Sequence, residues 1–255
     1  MMIDLCPVEG VRPVGDNIYV LRFSSPAISR SLRAGQFVNL RVKEGCDPLL
    51  RRPFSAYRIE NGSIEIIFNV VGRGTAALRQ KNAGEILDVL GPLGRPFGTL
   101  DTAYDTGVLI GGGLGVAPLP LLTAEIRRAG KHILTVVGAR SSKQIVTDHL
   151  DDPGIATDDG SLGFHGNVVD LTSTLLAKTP VARPKIFACG PTPMLRAVAA
   201  FARTAGIPCE VSLEGPMGCG IGICQGCPVE VTGPEKKYAL MCKDGPVFDT
   251  RTITI

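Results

Sequence analysis

Apolar and polar residues alternate through much of the first hundred positions. The runs NIYVLRF, GQFVNLRV and SIEIIFNVV place apolar side chains at every second position, the period of a half-buried strand. Turn residues separate them at Gly15-Asp16, Ala34-Gly35 and Asn61-Gly62. One helical patch interrupts the pattern near 75–80. Many short strands with so few helices predict a small antiparallel β-barrel over residues 1–100.

The pattern changes over 101–210. An apolar strand, GVLIGGG, meets the helical run VAPLPLLTAEIRRAG. A strand (HILTVVGAR), a helix (SKQIVTDHL), a short strand (GIATDDG) and a helix (VVDLTSTLLA) follow. The segment closes with a strand (KIFACG), a helix (PMLRAVAAFARTAG) and a strand (CEVSLE). Strand–helix alternation predicts an open, mostly parallel α/β sheet, which binds ligands at the carboxyl ends of its strands. Residues 211–255 predict a third, small segment. There a cysteine-rich loop precedes two short strands, PVEVTG and KYALMCKDG. Such a segment is too small to be stable alone, and a bound metal centre would hold it together. The fold class expected is thus multidomain α/β plus β.

Composition narrows function modestly. The 255 residues carry a net charge of +3 with no long basic run, which gives nucleic-acid binding no support. The N-terminus MMIDLCPVEG has no signal-peptide pattern, and no apolar stretch is long enough to span a bilayer. A cytoplasmic protein is the expectation, where thiols stay reduced.

Reduced thiols matter because of four cysteines. Cys219, Cys224 and Cys227 follow C-x4-C-x2-C, and Cys242 stands fourteen residues further on. That spacing is the plant-type pattern for a [2Fe–2S] cluster, in which each iron takes two thiolates. A zinc site usually pairs two C-x2-C knuckles, and a chain of this length has little need of disulfides. Cys6, Cys46 and Cys209 are expected as structural thiols. His132, His149 and His165 have no ligand or triad spacing.

Three other loops carry candidate chemistry. In Arg52-Pro53-Phe54-Ser55 an arginine suits a pyrophosphate, and an aromatic two residues on points the same way and suits a flavin ring. The bland alternative is a surface arginine and a core phenylalanine. Gly72-Arg73-Gly74-Thr75 precedes the helical patch, where backbone N–H groups suit phosphate, although a plain glycine turn reads the same. Gly111–Gly115 opens the α/β segment without matching the strict dinucleotide fingerprint. No acidic residue stands at the end of the second strand, where Arg140 and Ser141 are found.

Taken in chain order, these loops resemble the ferredoxin–NADP reductase superfamily. Arg52-Pro53-Phe54-Ser55 resembles its flavin motif, and Gly72-Arg73-Gly74-Thr75 its flavin-phosphate turn. Gly113-Leu114-Gly115-Val116-Ala117-Pro118 and Cys189-Gly190-Pro191 resemble its pyridine-nucleotide motifs. The segments SLEGPMGCGIGICQGCPV and MCKDGPVF narrow the likeness to the electron-transfer subunits of NAD-dependent (class 1B) dihydroorotate dehydrogenases, over essentially the full length.

The resemblance implies one FAD and one [2Fe–2S] cluster. It also implies an FMN-containing catalytic partner that oxidises dihydroorotate in pyrimidine synthesis, in a heterotetramer of two of each chain. Electrons would pass from FMN through the cluster and FAD to NAD+. By the same resemblance Arg52, Pro53, Phe54 and Ser55 hold the flavin, Ile67, Phe68 and Asn69 line it, and Gly74 and Thr75 bind its phosphate. Gly113, Gly115 and Cys189 lie near the nicotinamide nucleotide, and Cys219, Cys224, Cys227 and Cys242 ligate iron. No side chain is implied as a general acid or base. Phe54 stands where many relatives have tyrosine, and Arg140-Ser141 leaves NADP open. Other readings are a flavin subunit of a different redox complex (ferredoxin–NADP reductase, sulfide dehydrogenase or hydrogenase diaphorase type) and a redox carrier that takes no electrons from NADH or NADPH.

Overall fold

Period-two patterning builds the first sheet of the structure, a computed structural model that describes residues 1–45, 47–179, 181–233 and 237–255. Cys46 lies outside the described residues. The strands are β1 (Met2–Gly15), β2 (Ile18–Ser24), β3 (Phe37–Arg41), β4 (Arg52–Ser55), β5 (Arg58–Glu60), β6 (Ser63–Asn69) and β7 (Ile86–Leu93). They run in the order β4-β3-β7-β1-β2-β6-β5, antiparallel throughout. β1 serves two neighbours. Its first half, to Pro7, pairs with β7, and from Val8 onward it pairs with β2. An irregularity between Val8 and Gly10 marks the change and lets the sheet curl into the expected barrel. Cys6, Val20, Phe23, Leu40, Ile64, Ile66, Leu87 and Val89 fill its interior. Sequence patterning did not single out β1 or β7. Ile3, Leu5 and Ile86 put apolar residues on their exposed faces and so blur the alternation.

Two helices belong to this part, a single turn α1 (Pro26–Ser29) and α2 (Arg73–Arg79). Leu78 anchors α2 in the core.

The second sheet contains β8 (Thr106–Gly112), β9 (His132–Ala139), β10 (Gly154–Thr157), β11 (Phe164–His165), β12 (Pro184–Cys189) and β13 (Cys209–Ser212). They are parallel, in the order β11-β10-β9-β8-β12-β13. Helices α3 (Leu119–Arg128), α4 (Val168–Lys178) and α5 (Thr192–Ala205) are interleaved with them. β8 is buried at every position, as a central strand covered on both faces must be.

The run SKQIVTDHL departs from the helix expected there. It forms a short 3₁₀ turn at Ser142–Gln144, and Ile145 is already extended. Of that run only Val146 is buried, so no apolar stripe ties a helix to the core.

The last segment is less separate than its composition suggests. β14 (Pro228–Glu230) and β15 (Tyr238–Leu240) pair with each other. However, β16 (Val247–Asp249) adds antiparallel to β13 and becomes an edge of the second sheet. β13 itself runs across the boundary expected after residue 210. Phe37 and Leu93 of the barrel share an apolar cluster with Cys227, Val229, Met241 and Cys242, so the cysteine segment packs on the outside of the barrel.

A polar latch joins the barrel to the second sheet. The Glu125 carboxylate on α3 is buried and accepts from Arg33 Nε and Nη2, both at 3.0 Å, from Ala34 N at 2.8 Å and from Thr99 Oγ1 at 3.0 Å. Among the described residues no helix is long and apolar enough to cross a membrane.

Candidate functional site

A groove of about 360 Å³ opens between the barrel, the start of the second sheet and the approach to the cysteine loop. β4 and β6 supply one wall. Pro53, Phe54 and Ser55 stand on the first, and Ile67, Phe68 and Asn69 on the second. The Phe54 and Phe68 rings meet edge to face, with centroids 6.0 Å apart and 64° between planes. Thr75 lies at the rim. Its Oγ1 accepts from the N–H groups of Val71 (3.0 Å) and Gly72 (3.2 Å) and so fixes the loop before α2.

Arg52 and Gly74 lie beside the groove. A Cβ on Gly74 would stand 3.1 Å from Arg52 Nε, so the guanidinium packs directly on this turn. Arg52 Nη1 donates to Leu50 O at 2.6 Å. Thus the expected flavin set converges: seven of its residues line one groove, and Arg52 and Gly74 flank it. Flat aromatic walls beside a cation and a threonine-braced turn fit a ring system carrying a diphosphate.

The far wall was not legible from the loops. Ser212, Leu213 and Glu214 line it as the chain leaves β13, followed by Gly215 and Met217. The rule that ligands bind beyond the carboxyl ends of parallel strands would have found them.

A second, larger groove of about 850 Å³ adjoins the first and shares Asn69 and Leu114 with it. It is built from the ends of the parallel strands, among them Gly113, Gly138, Arg140 and Asp158, with Pro191 and Met194 beyond β12. Gly113 is where the sequence puts it. Gly115 and Cys189, expected near the nucleotide, lie instead behind the wall. A Cβ on Gly115 would come within 2.0 Å of the Cys189 carbonyl oxygen, so only glycine lets these two loops touch. The Cys189 thiol is buried, and that burial pushes its pKa well above the ordinary thiol value.

Asp158 brings an acidic residue into this groove. It follows β10 and not β9. Its backbone N–H donates to Ala139 O at 3.1 Å, which brings it to the end of the second strand through strand pairing.

The four cysteines form two pairs along the segment that packs on the barrel's outer face. Cys227 Sγ lies 3.3 Å from Cys242 Sγ, and both are buried. Cys219 Sγ accepts from the backbone N–H of Cys224 at 3.4 Å and of Ile221 at 3.5 Å. Those donors, Cys224 N–H foremost, lower its pKa to about 6, whereas burial pushes Cys242 up to about 12. Gly220 and Gly222 take positive φ of 74° and 85°. A Cβ on Gly220 would come within 2.6 Å of Asn39 Nδ2, the amide that donates to Cys219 O at 3.3 Å.

Among the described residues no group of three His, Cys, Asp or Glu side chains is arranged to hold a single ion. Two thiol pairs, one buried (Cys227, Cys242) and one towards the surface (Cys219, Cys224), fit a binuclear centre instead, which divides its ligands between two irons. Cys6 and Cys209 are buried, and burial raises each to about 12, as inert structural thiols require.

Comparison with known proteins gives the same picture. Residues 214–254 match the model of the iron–sulfur cluster binding domain of dihydroorotate dehydrogenase B. A chain from an NADH-dependent reduced ferredoxin–NADP oxidoreductase, solved in connection with flavin-based electron bifurcation, superposes with a TM-score of 0.85. It is 31% identical, and the match covers 98% of this chain and 90% of that one. Phthalate dioxygenase reductase superposes at 0.65 with 17% identity over 94% of both chains, a likeness of fold alone. The dihydroorotate dehydrogenase B (NAD(+)) electron transfer subunit of Geobacillus thermodenitrificans (strain NG80-2) is 39% identical over 94% of each chain. That of Fusobacterium nucleatum subsp. nucleatum is 34% identical over 97% of each. With full-length relatives at this identity, the chain belongs to the family of dihydroorotate dehydrogenase B (NAD+) electron transfer subunits.

Proposed function

We propose that this chain carries electrons from an FMN-containing, dihydroorotate-oxidising partner subunit to NAD+, by way of a [2Fe–2S] cluster and FAD. One observation carries the reading: the three candidate sites adjoin. The two grooves share Asn69 and Leu114, and Met217 on the wall of the first stands two residues before Cys219.

When bound, the cluster supplies one-electron transfer and the flavin couples it to the two-electron chemistry of NAD+. The chain's own residues hold and orient these groups. Cys219, Cys224, Cys227 and Cys242 would be the iron ligands. Phe54 and Phe68 would flank the isoalloxazine side of the first groove, with Pro53, Ser55, Ile67 and Asn69 around it. Arg52, with Gly74 and Thr75, would take the diphosphate. Gly113 would let the second groove accept the nucleotide's backbone closely, with Gly115 and Cys189 supporting that turn from behind.

Asp158 favours NAD over NADP. A carboxylate accepts from a ribose 2′-hydroxyl and repels a 2′-phosphate. Arg140 lines the same groove, and its cation acts in the opposite sense.

The partner docks over the exposed side of the cysteine loop in this reading. A two-plus-two heterotetramer follows from the family resemblance, and the mass of the native complex checks it. A cytoplasmic setting suits thiolate ligands.

The test is to purify the full chain anaerobically with its bound partner and add dihydroorotate and NAD+. Equal amounts of orotate and NADH are expected. The 31% identical ferredoxin–NADP oxidoreductase chain motivates a second reading, a subunit of another redox complex. Bleaching of flavin and cluster by NADH with no response to dihydroorotate would select it.

A further inference from the structure

Under the proposed function, electrons reach the cysteine loop from outside the chain. A partner must therefore cover the exposed side of that loop, at Ile223 (76% exposed) and Cys224. The loop is small for that task, because a stable interface buries about 800 Å² on each side. The partner's footprint has to continue onto a neighbouring surface.

The barrel offers one. Asn39, whose amide holds Cys219 O, lies on the outer face of β3. It pairs directly with Leu90 of β7, and Leu90 pairs with Ile3 of β1. Residues directly opposite in a sheet share a face, and neighbouring strands stand about 4.8 Å apart. Ile3 therefore lies roughly 10 Å from Asn39 on the same surface. Ile3 is 64% exposed, and Leu5 and Ile86 on this face are 67% and 55% exposed.

Two polar residues share this face, the exposed Arg41 of β3 and, opposite it, Asp88. Asp88, opposite Leu5, is held by Arg51 Nη2 at 2.7 Å. The inward residues of the same strands, Cys6, Val8, Leu87 and Val89, are already buried. Among the described residues, packing thus leaves Ile3, Leu5 and Ile86 exposed on the outer face. Single exposed apolar residues are ordinary, but several neighbouring ones on one sheet face beside a functional loop mark an interface.

We infer that the outer face of β1 and β7, at Ile3, Leu5 and Ile86, extends the cysteine loop into one docking surface for the dihydroorotate-oxidising subunit. The occupant presents an apolar patch beside the opening to its own flavin. Running from the loop along β3, β7 and β1, the surface fixes the partner's orientation as well as its affinity. This inference rests on the proposed function.

The test uses the full chain co-expressed with the catalytic subunit, in the wild type, in an I3D/L5D double variant and in a separate Ile86→Lys variant. Each variant should bind the catalytic subunit at least about tenfold more weakly, with dihydroorotate-driven NAD+ reduction falling in proportion at limiting concentration. Cluster and flavin absorbance, and NADH-driven dye reduction by the same preparation, should match the wild type. If I3D/L5D loses its flavin through misfolding, Ile86→Lys decides alone. Wild-type affinity in a correctly loaded variant would overturn the docking face. So would loss of self-association with the catalytic subunit still bound, because the face would then belong to a second copy of this chain. No dihydroorotate turnover by the wild type would refute the proposed function itself, a result distinct from either.

Discussion

The two grooves share a wall but are built differently. The smaller is lined by strand residues from β4 and β6 and by the chain leaving β13. The larger is formed by loops at the ends of parallel strands, with glycines where backbone must approach closely. Strands hold an aromatic wall in one place, which suits a group that stays bound. Loop ends bound a larger space, about 850 Å³ against about 360 Å³, which would suit a nucleotide that enters and leaves at each turnover. The chain approaching the cysteine loop lines the first groove only, so under the proposed function the resident centres would adjoin and the exchangeable ligand would sit beyond them.

This contrast can be broken at several points. The largest effect is expected from Cys219→Ser. It should abolish cluster assembly and dihydroorotate-dependent NAD+ reduction, read from the visible spectrum and a coupled assay. Flavin content and NADH-driven dye reduction should persist, because neither groove uses that thiol. Full dihydroorotate activity in this variant would refute the electron path.

Gly115→Ala comes next. Its Cβ would be driven into the Cys189 carbonyl, so the wall of the larger groove must move. NADH-driven reduction should fall by roughly a hundredfold, a loss of about 3 kcal/mol, with flavin still bound. Loss of flavin as well would mean that the two grooves are not independently built.

Arg52→Ala removes the cation beside Gly74. Flavin affinity should weaken by about 10- to 100-fold, the worth of a charge-assisted hydrogen bond, as measured by flavin release on dilution. Unchanged affinity would return Arg52 to an ordinary surface role. Asp158→Asn should have the smallest effect. The ratio of kcat/KM for NADH to that for NADPH should drop by about tenfold, chiefly through KM for NADPH. An unchanged ratio would leave Arg140 or a group outside the groove to set nucleotide choice.

Much of this was legible because each signal is local. The period-two runs around Val20, Leu40 and Ile66 produced β2, β3 and β6. The C-x4-C-x2-C spacing, with a fourth cysteine fourteen residues on, marked Cys219, Cys224, Cys227 and Cys242 as candidate ligands. The candidate flavin-side residues lie on three short segments, and seven of them line one groove. Where the signal was weaker the reading failed. SKQIVTDHL has helical spacing but only Val146 to bury, and β1 hid behind apolar residues on its outer face.

By itself, then, the sequence determined most strand and helix types, the cysteine spacing and the motifs that mark the family. These depend on spacing within a few residues, where chain geometry leaves little choice. Only the tertiary structure decided what those pieces share. It brought Glu214 and Met217 to the flavin-side groove and carried Asp158 to the end of β9 through strand pairing. It also set Asn39 under the cysteine loop, 180 positions away along the chain, with Ile3 two strands further across the same face. Contacts at such separation are fixed by register and by burial of the two sheets against each other, and no local pattern encodes them.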